Sequence, residues 1–483
     1  MQGIILQLKR LSAPQWAFIG SLLLSWIAVS NAGTVAKDAA FYIDLAQYFI
    51  DHDLADTFKR YDWPWFPVLL GATHALTGIP LETVAYLWCA LFMAGTCALL
   101  VDGISRRLPG SGYWACLVVL AIPAYNSFRD DILREYGFWF FCVLALWFAL
   151  LWEERGGWAR ATLIQLAVLL AALFRLEAVL LMPALMLWQV AGLTTRAGWG
   201  RMVQLVALPL LVAVLTGGVL LAFDRLPLGR IEYYLNLVDP RSLFATFNSV
   251  SERFGATLLQ KYSADDAGTI LFFGFLATLL LMFVKLLGPF SVPFLFREGW
   301  AAIRTYRQRF SVFAWAWLCY FAVLMFFFIQ QQFINARYTS FLDLLAVPLA
   351  VIALVALARR FPKGVRVLVV VALLVMLANV ISLSAKKTHY IEAGHWLAQH
   401  AQPADAIYYD DPRIGYYAGW GYQPSALTRE EAMSDSRVSA YRYYLIEAKA
   451  DEPWLQQWLQ QHRRQVLAEF ANAKGATVLV IGE

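Results

Sequence analysis

The sequence is poor in charge, in cysteine and in repetitive segments. Only 15% of its 483 residues are charged, and only five are cysteine. The cysteines all lie in or beside apolar segments, which supports neither a disulfide framework nor a zinc site. No internal repeat occurs at solenoid spacing and no low-complexity tract is present, so a repeat protein is not indicated. The cysteines are Cys89, Cys97, Cys116, Cys142 and Cys319.

Hydrophobic residues take the place of the missing charge. They make up 60% of the chain, and the mean hydropathy is +0.56, well above the values of soluble globular proteins. The net charge of +5 comes from basic residues spread over short loops, without the continuous stripe that nucleic-acid binding requires. The composition therefore indicates a polytopic membrane protein that does not bind nucleic acid.

Long apolar runs divide the chain into membrane spans. A helix needs about 20 apolar residues to cross a bilayer, and fewer where neighbouring helices shield it. The run 65–77 is short and begins among Pro64 and Pro67, so we interpret it as a surface helix. The first run follows Lys9 and Arg10 and resembles a signal peptide, but the next loop needs an anchor, so we predict an uncleaved span. The predicted spans are 14–34, 81–102, 111–125, 137–152, 160–174, 178–193, 203–223, 269–288, 311–329, 339–358 and 366–384, which makes eleven.

The loops between these spans alternate in charge. If the N-terminus is cytoplasmic, every inner loop is basic, as the positive-inside rule requires. The outer side then receives the segment 37–79, a short loop at 129–135, a long loop at 224–267, the connection around Arg337 and the tail. We therefore predict a bacterial inner membrane protein with a cytoplasmic N-terminus. The basic inner residues are Arg106, Arg107, Arg155, Arg160, Arg196, Arg201, Arg297, Arg304, Arg307, Arg309, Arg359, Arg360, Lys363 and Arg366.

The tail after residue 385 changes composition sharply. Its segments alternate as in small α/β domains: a helix over 390–400, a strand-like AIYYD, a GYYAGW turn, then YRYYLIE, a helix over 451–470 and a final ATVLVIG. The sequence therefore predicts two domains. The first is a mainly α-helical membrane domain over 1–385, with surface helices within 37–79, and the second is an extracytoplasmic α/β domain over 386–483.

Placing a charged side chain next to a membrane costs free energy, so each such residue is a candidate for a structural or functional role. Lys37 and Asp38 stand at the start of an amphipathic helix directly after the first span. Its aromatic face suits lipid headgroups, and its acidic face, with Asp44 and Asp51, suits solvent. Asp38 either caps this helix by accepting backbone N–H bonds or contacts a lipid phosphate and a substrate. Both interpretations are open.

A second charged group lies in the segment FRDDILREYGFW. Arg129, Asp130 and Asp131 stand there between two spans. Asp130 and Arg134 are four residues apart, which is also compatible with a solvated helical ion pair. The adjacent carboxylates repel each other unless a cation or a hydrogen-bond donor lies between them, so this loop is a candidate part of a site.

Two more charged groups interrupt apolar sequence on the predicted outer side. Arg175 and Glu177 stand where an ordinary hairpin would use Gly, Pro or Asn, with mutual pairing as the alternative. Arg337 and Tyr338 stand at the end of a span, where Arg337 either snorkels to the headgroups or binds phosphate. A fifth group lies in the long outer loop, and we interpret most of it as ordinary surface residues: Arg225, Arg230, Arg241, Arg253 and Lys261. Together the groups predict a cavity for an anionic lipid headgroup at the outer membrane boundary, because guanidinium groups donate paired hydrogen bonds to phosphate.

Four segments and the tail carry a family resemblance. The segments are KDAAFYIDLAQYF, IPAYNSFRDDILREYGFWFF, AALFRLEAVLLMPAL and INARYTSFLDLLAVPL. They resemble the GT-C superfamily of polyprenyl-phosphate-sugar glycosyltransferases, in the branch with the lipid A aminoarabinose transferases and protein mannosyltransferases. The resemblance implies that Asp38 is the catalytic carboxylate and that Asp130 or Asp131 is the acidic residue of the second outer loop. It further implies that Arg175, Glu177 and Arg337 gather around the lipid phosphate, and Lys37, Arg129 and Tyr338 are further candidates.

The implied reaction is an inverting transfer of a sugar from a polyprenyl-phosphate carrier to an acceptor hydroxyl of a lipid, a glycan or a protein. Asp38 would take the acceptor's proton, and Arg337, Arg175 and Lys37 would neutralise the phosphate. The family's first loop often has Asp-Glu, whereas Ala39 follows Asp38 here. A divalent cation is therefore left open and no metal ligand is assigned. A membrane transporter, which would be expected to show inverted repeats, or a non-catalytic component of an envelope polysaccharide assembly system is the alternative.

Overall fold

Helices account for most of the chain. The computed structural model describes residues 11–222, 233, 236–237, 239–381 and 385–483, so part of the predicted long loop 224–267 lies outside the described residues. The helices before the tail are α1 Ala13–Ser30, α2 Lys37–Asp51, α3 Leu54–Arg60, α4 Trp65–Thr77, α5 Leu81–Arg107, α6 Gly112–Ala121, α7 Pro123–Asn126, α8 Glu135–Arg155, α9 Trp158–Phe174, α10 Leu181–Val190, α11 Arg196–Ala222, α12 Pro240–Leu258, α13 Ala267–Leu287, α14 Arg297–Arg309, α15 Ser311–Gln331, α16 Ala336–Arg360 and α17 Pro362–Val380.

Helices occupy all eleven predicted span positions. Among the described residues, 8 helical segments are long and apolar enough to cross a membrane. The helices at three positions are shorter, namely Gly112–Ala121, Trp158–Phe174 and Leu176–Val190, the last of which begins with a 3-10 helix, Leu176–Leu180. The mainly α-helical, multi-pass class is therefore confirmed, whereas the number of eleven crossings stays a prediction.

Glycines let the helices that carry the site approach closely. Gly95 of α5 faces the ring of Phe140 of α8, and a Cβ at that glycine would lie 2.5 Å from a ring atom. Gly137 of α8 faces Phe174 of α9 so closely that a Cβ would overlap its ring. Small residues at helix interfaces are typical of membrane bundles, where packing drives association. Because α8 begins at Glu135 and α9 ends just before a charged turn, this packing brings two charged loops together.

The basic loops meet at one end of the bundle. Arg107 at the end of α5 pairs with Glu153 at 2.7 Å, and Arg309 donates to the Arg107 carbonyl oxygen at 2.6 Å. Arg360 pairs with Glu298 at 3.0 Å. Because α5 has 27 residues that rise by about 1.5 Å each, this end lies about 40 Å from the start of that helix. Which end faces the cytoplasm stays a prediction from charge.

The tail contains a four-stranded sheet with helices on both faces. The strands are β1 Ile407–Tyr409, β2 Tyr443–Ile446, β3 Gln465–Ala471 and β4 Thr477–Gly482. Their order in the sheet is β1-β2-β4-β3, with β1 and β2 parallel and the other pairs antiparallel. Leu445 and Val480 pack toward the first helix of the tail, whereas Tyr444 and Ile481 pack toward its last helix. The alternation follows from the two-residue period of strands. The helices of the tail are α18 Thr388–His400, α19 Arg413–Tyr417, α20 Arg429–Ala432 and α21 Pro453–His462.

The predicted helix over 451–470 is wrong in its second half. Helix α21 ends at His462, Arg463 adopts a left-handed conformation with φ of 53°, and Gln465–Ala471 forms β3. Side chains in QVLAEFA alternate between more and less exposed positions. Pairing with β4 satisfies the backbone of this segment, so a long-range contact outweighs its local helical propensity.

The tail rests on the loop that follows the first span. Arg413 donates to the Val35 carbonyl oxygen at 3.4 Å, and the Tyr417 hydroxyl accepts from the Val35 N–H at 2.9 Å. Gly421 has φ of +82° and lies so close to Asp44 that a Cβ would overlap the Asp44 carboxylate, so only glycine fits there. The prediction that the acidic face of α2 is solvated is therefore wrong at Asp44, because the tail covers it.

Candidate functional site

Asp38 and Arg337 are in contact although 299 residues separate them in the sequence. Arg337 Nη1 donates to Asp38 Oδ2 at 2.6 Å. The Asp38 side chain remains 46% exposed, whereas that of Arg337 is 27% exposed. The guanidinium thus orients the carboxylate while leaving much of it open to a second molecule.

Both residues stand in the first turn of a helix. Asp38 is the second residue of α2, whose N-cap is Ala36, and no side-chain cap bond occurs there. The capping interpretation of Asp38 is therefore not supported, although a carboxylate in a first turn still interacts favourably with the helix N-terminus. Arg337 is the second residue of α16, and Asn335 caps that helix by accepting from the Tyr338 N–H at 3.1 Å. This cap fixes where α16 begins and hence where Arg337 lies.

Asp130 and Asp131 stand in the turn that precedes α8, near the Asp38–Arg337 pair. The Asp131 N–H donates to the Phe128 carbonyl oxygen at 2.9 Å, which closes the turn. Burial raises the pKa of Asp131 to about 7, and the negative charges of Asp130 and Asp38 contribute, while Arg337 opposes the shift. The Asp131 carboxyl therefore exchanges a proton near neutral pH, which is the range useful for acid–base chemistry.

The predicted helical pair between Asp130 and Arg134 is wrong. The segment between them is a turn, so residues four apart do not share a helix face. Arg134 Nη1 donates instead to the Tyr61 hydroxyl at 2.8 Å. This bond connects the second charged loop to the end of α3 in the first loop.

Arg175 joins two buried glutamates. Its Nη1 donates to Glu135 Oε1 at 2.8 Å, and its Nε donates to Glu177 Oε1 at 3.1 Å, with a second bond from Nη2 to the same oxygen. Its guanidinium also lies over the ring of Tyr338, 4.6 Å from the ring centroid. Arg175 and Glu135 are only 8% and 5% exposed. The mutual pairing that the sequence left open is therefore present, and Glu135 is an additional partner.

A cavity of about 220 Å³ lies beside this ion cluster. Arg134, Arg175, Glu177 and Tyr338 line it, together with Tyr320 and apolar side chains of α15. Arg134 Nε is buried there without a hydrogen-bond partner among the described residues. No carboxylate pairs with Arg134 among them within ion-pair distance, in contrast to Arg175. Of the two arginines that line the cavity, Arg134 is thus the one with a donor left for a ligand.

The sequence alone does not identify Arg134 as a site residue. Its spacing from Asp130 favours only a solvated helical ion pair. The available signal was that Arg134 stands directly before Glu135 and an apolar helix, since an arginine at that boundary has little access to water. Tyr61, which holds it, lies 73 residues earlier, and no local pattern connects the two.

Two predicted phosphate ligands have partners other than Asp38 and Arg337. Lys37 Nζ pairs with Asp411 Oδ2 of the tail at 3.3 Å. Arg129 is 4% exposed and donates to the Ser21 carbonyl oxygen at 2.9 Å and to Ser25 Oγ at 2.8 Å, both in α1. Lys37 therefore helps to seat the tail, and Arg129 secures the first span. The structure does not bring Arg129 to the Asp38–Arg337 pair.

Positive charge beside Asp38 comes from an arginine. In the part of the chain that the structure describes, no group of three or more His, Cys, Asp and Glu side chains is placed to hold a metal ion. The carboxylate nearest in sequence to Asp38 on the same helix is Asp44, which pairs with Arg60 at 2.7 Å. Arg337 is therefore the described group that balances the charge of Asp38.

Comparison with known proteins gives structural matches. No protein-family model matches the sequence, and no curated protein sequence is found similar to it. The crystal structure of ArnT from Cupriavidus metallidurans in the apo state is similar with a TM-score of 0.60 at 13% identity, covering 96% of this chain and 97% of that chain. The structure of that ArnT bound to undecaprenyl phosphate is similar with a TM-score of 0.59 at 14% identity and the same coverage. The predicted resemblance is confirmed at the level of the fold, which is that of ArnT along nearly the whole chain.

Proposed function

We propose that this protein is an inverting glycosyltransferase that moves a sugar from a polyprenyl-phosphate carrier to an acceptor hydroxyl at the outer face of the bacterial inner membrane. The observation that carries the proposal is the contact between Asp38 and Arg337, which joins the first loop to the start of α16. A half-exposed carboxylate and a cavity with arginines lie together at the end of the bundle that bears the tail. The ArnT fold, seen elsewhere with undecaprenyl phosphate bound, supports the same reaction class.

Asp38 is the general base of the proposed reaction. The acceptor oxygen attacks the anomeric carbon, its proton passes to an Asp38 carboxylate oxygen, and the bond from the anomeric carbon to the phosphate oxygen breaks. The polyprenyl phosphate leaves with the electron pair of that bond. Attack from the face opposite the leaving group inverts the anomeric centre. The 46% exposure of Asp38 leaves room for an acceptor beside the carboxylate.

Arg337 and Arg134 bind the departing phosphate in this proposal. Both guanidinium groups have donors that described carboxylates do not fully use, because Arg337 has one contact to Asp38 and Arg134 donates to a tyrosine. Fixed donors aimed at developing negative charge are a large part of enzymatic rate enhancement. Arg175 is already neutralised by Glu135 and Glu177. Its role, and that of Glu177 and Tyr338 beside it, is to hold the cavity wall.

The sequence-derived orientation completes the proposal. With the N-terminus in the cytoplasm, Asp38, the cavity and the tail face the periplasm, where no nucleotide sugar is available and a lipid-linked donor is needed. The acceptor is a hydroxyl of a lipid, a glycan or a protein. Asp131 lies close enough to feel the charges of Asp38 and Arg337, so it is a second acid–base group at the site.

The test compares envelope glycolipids and glycoproteins by mass spectrometry in a strain with and without the gene. We expect one sugar modification to vanish without the gene and to return with the wild-type protein. Asp38→Asn should not restore it, because the amide cannot accept the acceptor's proton. Asp51→Asn is the matched control, since Asp51 is an exposed carboxylate on the same helix; it should restore the modification fully.

The phosphate assignment has its own experiment. Purified protein in nanodiscs is titrated with undecaprenyl phosphate, and binding is measured by native mass spectrometry. Arg134→Gln and Arg337→Gln should each weaken binding about tenfold, the effect of about 1.4 kcal/mol, whereas Arg253→Gln on the exposed surface of α12 should not. Restoration of the modification by Asp38→Asn, or equal binding by all three arginine variants, would contradict the proposed roles.

A further inference from the structure

The tail has a second polar cleft, separate from Asp38 and Arg337. It has a volume of about 440 Å³ and lies where α18 meets the hairpin between β3 and β4. Lys387, Lys449 and Lys474 line it. None of their ammonium groups forms an ion pair with a described residue, and that of Lys387 lies over the ring of Tyr390, 5.9 Å from the ring centroid. Three ammonium groups against the two carboxylates of Glu447 and Glu452 leave the cleft with an excess of positive charge.

The carboxylates in the cleft are engaged by other groups. Glu447 Oε1 accepts from the Tyr390 hydroxyl at 2.7 Å. Glu452 Oε1 accepts from the Lys449 N–H at 2.9 Å, and its Oε2 accepts from Trp454 Nε1 at 2.6 Å. These bonds lower the pKa of Glu452 and direct its oxygens to the protein. Neither carboxylate forms an ion pair with a described lysine of the cleft, so the ammonium groups can meet a ligand, although both carboxylates keep their negative charge.

Neutral donors complete the cleft. His389 is 2% exposed, lines the cleft, and has an Nδ1 without a hydrogen-bond partner among the described residues. Asn472 Oδ1 accepts from the backbone N–H groups of Lys474 and Ala476 at 2.9 and 3.0 Å. Because this fixes the amide, the Asn472 NH₂ group is left to donate. A buried polar atom without a partner is costly, and a bound anion would supply the missing partner of an Nδ1 that carries the ring proton.

The cleft lies near the membrane boundary. Its first residues follow α17, which ends at Val380, by only a few positions. Lys386, next to the cleft, packs on Gly33, so that a Cβ on that glycine would lie 2.7 Å from the lysine side chain. Gly33 in turn follows the end of α1 at Ser30 by three positions. The cleft therefore lies close enough to the ends of these membrane helices for a lipid headgroup to reach it.

We propose that this cleft binds a phosphoryl group at the membrane boundary, carried by a lipid headgroup or by a small soluble phosphate ester. Lysine ammonium groups bind phosphate as point charges, and a phosphoryl group offers these ammonium groups more oxygen acceptors than a carboxylate does. The histidine and asparagine donors meet its remaining oxygens. This site does not depend on the transfer reaction, and it gives the tail a binding role.

The experiment uses the full-length protein in nanodiscs. In one arm, discs of phosphatidylcholine are titrated with glycerol 3-phosphate by calorimetry. In the other arm, the enrichment of phosphatidic acid on the protein is measured by native mass spectrometry from mixed discs. Binding in the first arm identifies a soluble ester as sufficient, and binding in the second arm alone identifies a lipid headgroup. Either result supports the phosphoryl site.

Charge-matched variants decide whether the cleft is responsible. Lys387→Gln with Lys474→Gln should weaken binding about tenfold or more, because both side chains are exposed cleft residues. Arg437→Gln with Arg463→Gln removes the same charge from exposed positions of the tail outside the cleft, and it should leave binding within about twofold. Arg134→Gln with Arg337→Gln should keep the binding that Lys387→Gln with Lys474→Gln removes, which separates this cleft from the phosphate site of the proposed reaction. Equal weakening in both double variants, or no binding of either probe by the wild type, overturns the proposal.

Discussion

Replacing Arg175 with methionine tests whether the ion cluster beside the cavity is structural. The change removes the hydrogen bonds from Arg175 to Glu135 and Glu177 and its stacking on Tyr338. Two carboxylates then remain in a buried place, since the Glu135 and Glu177 side chains are only 6% and 13% exposed. Breaking a buried ion pair on one side costs about 3–5 kcal/mol. We therefore expect Arg175→Met to lower the free energy of unfolding by that amount.

The measurement is equilibrium unfolding in mixed detergent micelles, followed by tryptophan fluorescence. Combining Arg175→Met with Glu135→Gln and Glu177→Gln removes the uncompensated charge, so the triple variant should recover much of the loss. Arg106→Met is the control, because Arg106 pairs with Asp102 while 52% exposed, and such a pair is worth about 0–1 kcal/mol. If the losses in the free energy of unfolding for Arg175→Met and Arg106→Met differ by less than about 1 kcal/mol, the ion cluster does not stabilise this wall of the cavity.

Further perturbations test the surroundings of the site. Burial raises the pKa of Asp131 to about 7, so the folded state binds this proton more tightly than the unfolded state, and stability should fall as pH rises from about 4 to 7. Thermal melting across this range should show that slope, and Asp131→Asn should flatten it. Gly421→Ala should loosen the tail and raise its protease sensitivity more than Gly419→Ala, because both glycines have positive φ but only Gly421 has a neighbour within 4 Å. Arg129→Met should cost about 3 kcal/mol in the same unfolding assay, since it leaves buried partners unpaired; a loss below about 1 kcal/mol would count against its role in holding the first span. Asp343→Leu should leave stability unchanged or higher, because the buried Asp343 carboxyl has no partner among the described residues; clear destabilisation would reveal a partner.

Local patterns were enough to predict the architecture. Apolar runs and basic loops located helices at all the expected positions, and the break at Arg175 coincides with the end of α9. The tail was predicted as an α/β unit, and its sheet is present. The error at Gln465–Ala471 arose because pairing with β4 decides the conformation of that segment, and such pairing is invisible to a local reading.

Some site residues can likewise be predicted from local sequence, whereas the partners of others are seen only in the structure. A carboxylate and an arginine at the ends of apolar runs can be recognised as candidate site residues from the sequence, because placing a charge next to a membrane costs free energy. That reasoning singled out Asp38 and Arg337, which are in contact. The same reasoning also predicts Lys37 and Arg129 as phosphate ligands. In the structure Lys37 pairs with Asp411 of the tail, and Arg129 donates to serine side chains of α1.

What the sequence by itself determined is the membrane class, the order of helices and the small α/β tail, because each depends on residues within one or two turns of each other. Only the tertiary structure decided which charges neutralise each other and which keep donors for a ligand. Arg134 and Arg175 look alike in the sequence, yet one faces a tyrosine and the other two glutamates. Those partners come from other helices and loops, and charges interact through distance in space, which the order of residues does not specify.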